Sequence, residues 1–588
     1  MNNIGTKEKI KAVIKSLAYV YKVAVKEAVL REIVAIGKVF LDLYAVTLGG
    51  LFLDGTYDFI KNSESFSLRE FYISDSFWYL ALMLIVWILT QICSKSDNYL
   101  NVVVRRAFYR KVDLDIIDKT SKLNFQDLEN KEFQKLLYFS RQYALTEIWN
   151  LYENFSSLTQ ETVKIVGAIA ILYGYVGIYA LIPILMALPE TVTEYFKHRT
   201  IAGYLDKTLR RVRMIDYLRS VFLDINFFGE IRVSGVFDKL MKKFNSIYKK
   251  QDKGNNKNSL HYNIDTAFTS IVDRVLLNGY IIFLIATAIK QKLTIGIFKA
   301  MYDYAIMSYG SAYRILSRIS GIQANVLYSS MLFKLLDYQG YGDIKFGEET
   351  LSKDTPKLEF NNVDFLYPIE QIKAIENMSF SIEPGEKVAI FGKDGSGKTS
   401  LIRVLTGLYE ITAGDYLVND YSVRELARGE IKSKIAMIEQ DFNKYNLTFK
   451  ENITFGCKRF NSKRYKEVLE VTQLDKIKKE FNLEDDQLLG KFFSGGRDLS
   501  MGHWQRIAIA RMLYSDRQIN IMDEAFTFID DTNTKIILEN IINYLGEEKT
   551  LIYISRNRVF GKLFDKVYYL QNKQLLLQME KDMKNEKK

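Results

Sequence analysis

The stretch GKDGSGKTS, residues 392–400, decides the fold of the second half of this chain. It follows the apolar run KVAIF (387–391) and precedes LIRVLTGLY (401–409), so the pattern predicts a buried strand, a glycine-rich loop and a helix. Glycines let successive backbone N–H groups wrap a phosphate, and the N-terminus of the following helix faces the same anion. The spacing G-x-x-x-x-G-K-[ST] therefore predicts a site for the phosphates of ATP.

Each polar side chain of this loop has an expected role. Lys398 is predicted to reach the β and γ phosphates, and the Thr399 hydroxyl is predicted to ligate Mg²⁺. The other loop residues are expected to line the phosphates with backbone N–H groups or hydroxyls; they are Gly392, Lys393, Asp394, Gly395, Ser396, Gly397 and Ser400.

A second acidic element is expected to close the site. INIMDEAF (519–526) is an apolar run that ends in Asp523 and Glu524. Acidic pairs are common on helix surfaces, but this pair ends a predicted buried strand. We expect Asp523 to hold Mg²⁺ through water and Glu524 to polarise the attacking water.

The composition indicates a chain that is partly in lipid and partly in water. Hydrophobic residues make up 48% and charged residues 26% of the 588 residues, with a net charge of +11. An excess of basic residues is typical of nucleic-acid-binding proteins or of membrane proteins whose cytoplasmic loops lie beside anionic lipid. The distribution of charge among the loops favours a membrane protein that binds no nucleic acid. Cys93 and Cys457, the two cysteines, cannot form a disulfide framework or a zinc site.

Four stretches are apolar enough to cross a bilayer, which takes about 20 helical residues. The third is too long for one span, and Gly174 and Gly177 offer a reversal within it. Hydropathy alone thus supports five spans, and a weaker sixth candidate covers 294–317. The four stretches lie near 33–53, 77–94, 160–190 and 267–289.

Loop charge orients these spans. Basic residues precede the first span, whereas the loop 54–76 is mainly acidic, so the positive-inside rule predicts a cytoplasmic N-terminus. Within the first span, Lys38 and Asp42 are four residues apart and are expected to pair on one helix face. Charges within a span are also typical of functional sites, so a local pair and a functional role both stay open for Lys38 and Asp42, and likewise for Asp273 and Arg274.

The predicted fold is an all-α transmembrane six-helix bundle followed by an α/β P-loop domain. Long charged helical segments, 95–157 and 195–265, are interpreted as cytoplasmic extensions of the membrane helices. The predicted divisions are an amphipathic segment 1–32, a transmembrane domain 33–334, a linker 335–356, an ATP-binding domain 357–580 and a polar tail 581–588.

Further motifs in order along the chain resemble the ATP-binding cassette (ABC) transporter family, and six spans before one cassette resemble its half-size exporters. Tyr367 matches the aromatic that stacks on adenine, and Gln440 matches the glutamine that links Mg²⁺ to the membrane domain. Asp530 matches the aspartate of the inter-subunit loop. The segments LNFQDLENKEF (123–133) and INFFGEIRVSG (225–235) resemble coupling helices.

The same resemblance implies a dimer. LSMGHWQRIAIARML (499–513) matches the signature segment, which contacts ATP bound by the opposite subunit. Ser494-Gly495-Gly496 imitates the signature but is not followed directly by the helix WQRIAIARML, so the register is set at Leu499. The signature residues are then Leu499, Ser500, Met501, Gly502 and His503.

Two departures from the family pattern bear on hydrolysis. Met501 stands where a glycine is usual, and Arg556 occupies the position of the switch histidine that contacts the γ-phosphate. Arg556 can stabilise phosphate charge but cannot accept a proton. The sequence therefore leaves two hypotheses open: a homodimeric pump with slow turnover, or an ATP-binding gating subunit of a heterodimer.

The run LGKFFSGGRDLSMGHWQRIAIAR (489–511) is most similar to exporters of bacteriocins and other modified peptides. The resemblance implies export of a peptide from a bacterial cell, with the chain in the plasma membrane and the ATP-binding domain in the cytoplasm. Lipid or drug export is the alternative, because aromatic residues of the spans could line a cavity for amphipathic molecules. These aromatics are Trp78, Tyr79, Trp87, Tyr173, Tyr175, Tyr304 and Tyr309.

Overall fold

The computed structural model describes residues 6–63, 67–340, 347–367, 372–427 and 429–577. It divides into two compact units. The helical unit comprises Met1–Lys122 and Lys131–Tyr338, and the α/β unit comprises Leu123–Asn130 and Gln339–Lys588. The predicted tail 581–588, and residues 341–346 of the predicted linker, lie outside the described residues.

Within its described residues the helical unit is built on six long helices, with shorter ones between them. Four segments of this described part are long and apolar enough to cross a membrane: Val25–Asn62, Asp75–Lys122, Lys131–Lys197 and Phe237–Gln291. The long helices are α2 (Val25–Asn62), α4 (Asp75–Lys122), α7 (Leu145–Val176), α9 (Leu188–Leu223), α11 (Phe237–Gln291) and α12 (Ile295–Leu336). The short ones are α1 (Thr6–Val23), α3 (Leu68–Ile73), α6 (Lys131–Phe139), α8 (Ile182–Met186) and α10 (Ile225–Val233).

The third apolar segment is interrupted where the sequence predicts a reversal. Helix α7 ends at Val176, and Gly177 adopts a φ of +60°, which favours glycine. Gly174 remains helical. The weaker sixth candidate falls within α12, which packs on α2, α7 and α9.

Small and aromatic residues hold the helices together. The Tyr304 hydroxyl of α12 donates to the Leu43 carbonyl of α2 (2.8 Å). The same two helices also meet at the start of α12. There a Cβ added at Gly296 would lie 2.0 Å from the Gly50 carbonyl oxygen, so only glycine fits at position 296. Of the other predicted cavity aromatics, Trp78, Trp87 and Tyr173 are exposed in the single chain.

Charged residues of the first span pair differently from the prediction. Asp42 pairs with Lys164 of α7 (3.5 Å), and Lys38 instead donates to the Ser94 hydroxyl of α4 (3.4 Å). The i, i+4 spacing made the local pair possible, but the rotation of α2 turns both side chains toward neighbouring helices. The expected Lys38–Asp42 pair is therefore wrong.

The part of the α/β unit that the structure describes holds two sheets. The first is antiparallel with strand order β2-β1-β4-β5, and the second is mainly parallel with order β10-β9-β3-β8-β7-β6. The parallel strands alternate with helices and are buried on both faces, as their near-continuous apolar runs predict. The strands are β1 (Leu358–Leu366), β2 (Lys373–Ile382), β3 (Lys387–Gly392), β4 (Ala413–Val418), β5 (Tyr421–Ser422), β6 (Ile435–Ile438), β7 (Ile519–Asp523), β8 (Thr550–Ser555), β9 (Lys566–Gln571) and β10 (Gln574–Leu577).

A short helix from the first half of the chain belongs to this unit. Helix α5 (Phe125–Leu128) lies in the first segment that resembles a coupling helix, and Phe125 packs on Tyr409 with ring centroids 6.0 Å apart. Glu129 pairs with Arg403 (3.5 Å). The other helices are α13 (Lys398–Leu405), α14 (Glu430–Lys434), α15 (Phe449–Thr454), α16 (Ser462–Val471), α17 (Leu474–Glu480), α18 (Met501–Tyr514) and α19 (Asp531–Leu545).

Candidate ATP-binding site

The predicted phosphate loop, acidic pair and Arg556 gather at one edge of the second sheet. The carboxyl ends of parallel strands meet at the same edge, and ligands of such sheets bind there. Strand β3 leads into the loop, β7 ends at Asp523, and β8 is followed by Arg556. The turn after β6 carries Gln440, whose side chain is exposed at the same edge.

The phosphate loop has the backbone geometry that its glycines predict. Gly395 has a φ of +74° and Gly397 a φ of +108°, and a Cβ at Gly397 would lie 2.9 Å from the Ala374 carbonyl oxygen. The Ser396 hydroxyl is buried and makes no hydrogen bond within the described residues. Lys398 is buried and donates to the Gly392 carbonyl (2.9 Å). A glycine cradle with an unsatisfied hydroxyl and a buried cation fits a phosphate chain.

The acidic pair is buried at the end of β7. Glu524 has a φ of +46°, an uncommon conformation for a residue other than glycine, and its backbone N–H donates to the Ile554 carbonyl (2.9 Å). Burial, and secondly the neighbouring Glu524 charge, raise the pKa of Asp523 to about 6. Such a carboxylate needs a cation, and Asp523, Thr399 and Gln440 offer the oxygen ligands that Mg²⁺ prefers.

The raised pKa of Asp523 gives a test. In the folded, nucleotide-free chain Asp523 holds its proton more tightly than in the unfolded chain, so its contribution to stability is lost as the pH rises from about 4 to about 6. We expect Asp523→Asn to raise the unfolding free energy by about 3 kcal/mol at pH 8 and by about half as much at pH 5. Melting of the nucleotide-free protein at both pH values measures this. Asp415→Asn, at an exposed site on β4, is the control, and an equal gain at both pH values would contradict the expectation.

Four charged side chains close into a ring beside the loop. Lys398 lies 3.5 Å from Glu524, and Glu524 Oε2 accepts from two guanidinium nitrogens of Arg556 (3.0 and 2.8 Å). Arg556 also donates to Asp394 (2.9 Å), whose other oxygen lies 3.7 Å from Lys398. The sequence predicts each residue at this site but not the pairing, since Asp394 and Arg556 are 162 positions apart. We call Lys398, Glu524, Arg556 and Asp394 the four-residue ring.

Tyr367 contacts the C-terminal end of the phosphate loop. Its hydroxyl is hydrogen-bonded to the Ser400 hydroxyl (2.9 Å), and the Arg403 guanidinium lies 5.9 Å from its ring centroid. The same guanidinium lies 5.6 Å from the Tyr409 ring and 5.4 Å from the Phe125 ring. Sequence reasoning missed Arg403, although an arginine between aromatic neighbours on the first helix after the loop is a usable signal.

The signature residues lie at the start of α18. Ser500 caps this helix by accepting from the His503 backbone N–H (3.3 Å), and a Cβ at Gly502 would lie 2.7 Å from the Phe528 carbonyl oxygen. Leu499 is buried, whereas Met501 is exposed and accepts from Lys444 (2.8 Å). The His503 ring packs on Phe481, and burial lowers the pKa of this histidine. The helix α18 therefore begins directly after Ser500.

Asp530 forms hydrogen bonds with a nearby residue of its own chain. Its carboxylate caps α19 by accepting from the Asn533 backbone N–H (3.0 Å) and from the Asn533 side-chain amide (2.8 Å). These hydrogen bonds lower the pKa of Asp530. A cap fixes the position of this aspartate on the loop between β7 and α19.

Comparison with known proteins agrees with this architecture. Residues 375–527 match the family model described as ABC transporter. The chain is 26% identical to the subtilin transport ATP-binding protein SpaT of Bacillus subtilis, over 83% of this chain and 79% of that protein. It is 23% identical to the nisin transport ATP-binding protein NisT of Lactococcus lactis subsp. lactis, over 84% and 83%. For ATP-dependent lipid A-core flippase 2 of Colwellia psychrerythraea the identity is 25%, over 78% and 80%.

The fold is also that of a solved exporter. The structure of a bacterial Atm1-family ABC exporter with ATP bound superposes with a TM-score of 0.72 and covers 97% of both chains at 16% identity. At this identity the likeness concerns the fold. Together these findings confirm the predicted fold class and the resemblance to half-size ABC exporters.

Proposed function

We propose that this chain, which resembles half-size ABC exporters and matches the ABC transporter family model over residues 375–527, is a multi-pass membrane protein that exports a peptide from a bacterial cell at the expense of ATP. The observation that carries the peptide assignment is the similarity to the subtilin and nisin transport proteins, which covers more than four fifths of this chain and so reaches beyond the ATPase domain into the helical unit. The proposed location is the plasma membrane, with the N-terminus and the α/β unit in the cytoplasm. The proposed divisions of the chain are those predicted from the sequence.

The site geometry supports the roles that we assign to its residues. The loop 392–400 binds the phosphates, Tyr367 stacks on the base, and Glu524 accepts a proton from the attacking water. Asp523, Thr399 and Gln440 would hold Mg²⁺, which would supply positive charge to neutralise the phosphates. ATP binding and hydrolysis then close and open a pair of cassettes, and the helices alternate in access between the two sides of the membrane.

Two buried acidic residues of the helical unit suit a basic peptide better than a phosphorylated lipid headgroup. Asp273 of α11 and Glu194 of α9 are buried, and each keeps one carboxylate oxygen without a hydrogen bond among the described residues. Tyr309 and Tyr313 of α12 donate to these two carboxylates (3.4 and 3.2 Å). Buried acidic groups repel anionic headgroups and tolerate basic side chains.

Transport by the purified chain tests the proposal. In inside-out proteoliposomes we expect ATP-dependent uptake of a fluorescent basic peptide, and no ATP-dependent movement of a fluorescent phospholipid. Vesicles that contain the Lys398→Ala variant instead of the wild-type chain are the control for leakage. ATP-dependent lipid movement without peptide uptake would support the alternative of lipid export and contradict the proposal.

Half-size ABC exporters generally work as dimers, and the surface of this chain supports that assembly. The segment around α10, which resembles the second coupling helix, exposes apolar side chains: Leu223, Ile225, Val233 and Phe237. Exposed apolar groups at the end of the helical unit suit contact with a second subunit. The signature residues are proposed to complete the ATP site of that subunit.

A gating subunit of a heterodimer is the second candidate, and the Arg556–Glu524 pair favours it. A catalytic glutamate held by a permanent cation is a weaker proton acceptor than one beside histidine. Peptide transport that appeared only after addition of a second half-exporter would exclude the homodimer. Robust ATPase activity of the chain alone would exclude a purely gating role.

A further inference from the structure

One member of the four-residue ring is not required by a phosphate-binding loop. The positions between the glycines of G-x-x-x-x-G-K-[ST] admit any residue, and here Asp394 places a carboxylate among them. Its side chain is 75% exposed to solvent, yet it lies 2.9 Å from Arg556 and 3.7 Å from Lys398. Asp394 therefore faces both cations that flank the phosphate loop.

We propose that Asp394 is a tethered stand-in for the γ-phosphate of ATP. In the nucleotide-free chain its carboxylate holds the guanidinium of Arg556 beside the loop, and the γ-phosphate has to displace it. Both groups are oxyanions that accept charge-assisted hydrogen bonds from the same cations, so they compete for one place. The inference rests on the proposed binding of ATP at residues 392–400.

Arg556 has the properties that such an exchange needs. Its guanidinium keeps its charge at every physiological pH and presents several N–H groups in a fixed plane, so it changes partners without changing protonation. Its side chain is 47% exposed and lies at the rim of the site. It already bridges two carboxylates, Asp394 and Glu524.

The exchange distinguishes ATP from ADP. Lys398 meets the β-phosphate of both nucleotides, so its contact with Asp394 is lost in either complex. Only ATP carries the group that competes for Arg556. The Asp394–Arg556 contact can therefore persist over ADP and must break over ATP. Asp394 is thus a positioning residue that weakens triphosphate binding and recaptures Arg556 when phosphate leaves.

Nucleotide titration of the full-length chain in detergent tests this. The probes are ADP and the slowly hydrolysed ATP analogue AMP-PNP, both with Mg²⁺ and followed by calorimetry. We expect Asp394→Asn to tighten AMP-PNP binding about 3- to 5-fold, the upper end of the scale of one exposed ion pair, and to change ADP binding less than about 2-fold. In an Arg556→Ala background the same substitution should change AMP-PNP binding less than about 2-fold. Asp415→Asn, also an exposed aspartate, should change neither.

The outcomes separate this inference from the proposed function. Equal tightening for both nucleotides would reveal a general charge effect and overturn the stand-in role. An undiminished gain in the Arg556→Ala background would also overturn it, since the effect would not pass through Arg556. A wild-type chain that binds neither nucleotide would instead overturn the proposed ATP binding, and the inference with it.

Discussion

Glu524→Gln is expected to lower ATP turnover by about 10²- to 10⁴-fold, because an amide of the same shape cannot accept the proton of the attacking water. ATP binding is expected to persist, since the loop 392–400 and Lys398 are unchanged. The variant should therefore retain ATP through gel filtration while the wild-type chain releases phosphate. Phosphate release by the purified full-length chain measures the effect.

The control for this variant is Glu539→Gln, which changes a carboxylate of α19 that pairs with Lys535 far from the loop in sequence. Its turnover should equal that of the wild type. Turnover of Glu524→Gln within tenfold of the wild type would exclude Glu524 as the proton acceptor. Wild-type turnover that is already as low as that of Glu524→Gln would instead support the gating subunit, whose ATP is hydrolysed at a partner's site.

The phosphate loop and the acidic pair were predictable because local sequence dictates both. Residues 387–405 contain a buried strand, two glycines with positive φ and a helix, each of which has a clear sequence pattern. The apolar run of the strand that ends in Asp523 is equally clear. Parallel strands then bring the two elements to one edge whatever lies between them. No partner outside the unit is needed to form this part of the site.

The pairing of charges was not predictable in the same way. Asp394 and Arg556 meet because β3 and β8 are neighbours in the sheet, and sequence spacing does not reveal that register. Likewise Asp42 pairs with Lys164 and not with Lys38, because the rotation of α2 determines which of its side chains face α7. Patterns of three or four residues describe one helix, whereas ion pairs depend on how two elements meet.

Arg31→Met is expected to destabilise the helical unit by about 3 kcal/mol, because it leaves two carboxylates without their shared cation. The Arg31 side chain of α2 is buried and donates to Asp97 of α4 (3.0 Å) and to Glu153 of α7 (3.1 Å). Both carboxylates are about a quarter to a third exposed, which places the loss at the low end for buried pairs. Thermal unfolding in detergent should show a lower midpoint.

Two further variants make this expectation specific to the ion pairs. Arg106→Met removes an exposed arginine of α4 and should leave the midpoint nearly unchanged. The triple variant with Asp97→Asn and Glu153→Gln added to Arg31→Met should recover at least half of the loss, since replacing a whole buried ionic cluster costs far less than removing one member. If the triple variant melts no higher than Arg31→Met, lost packing of the arginine stem, and not unpaired charge, is the cause. Recovery would mean that Arg31 stabilises the junction of α2, α4 and α7 chiefly by neutralising the acidic residues that this junction brings together.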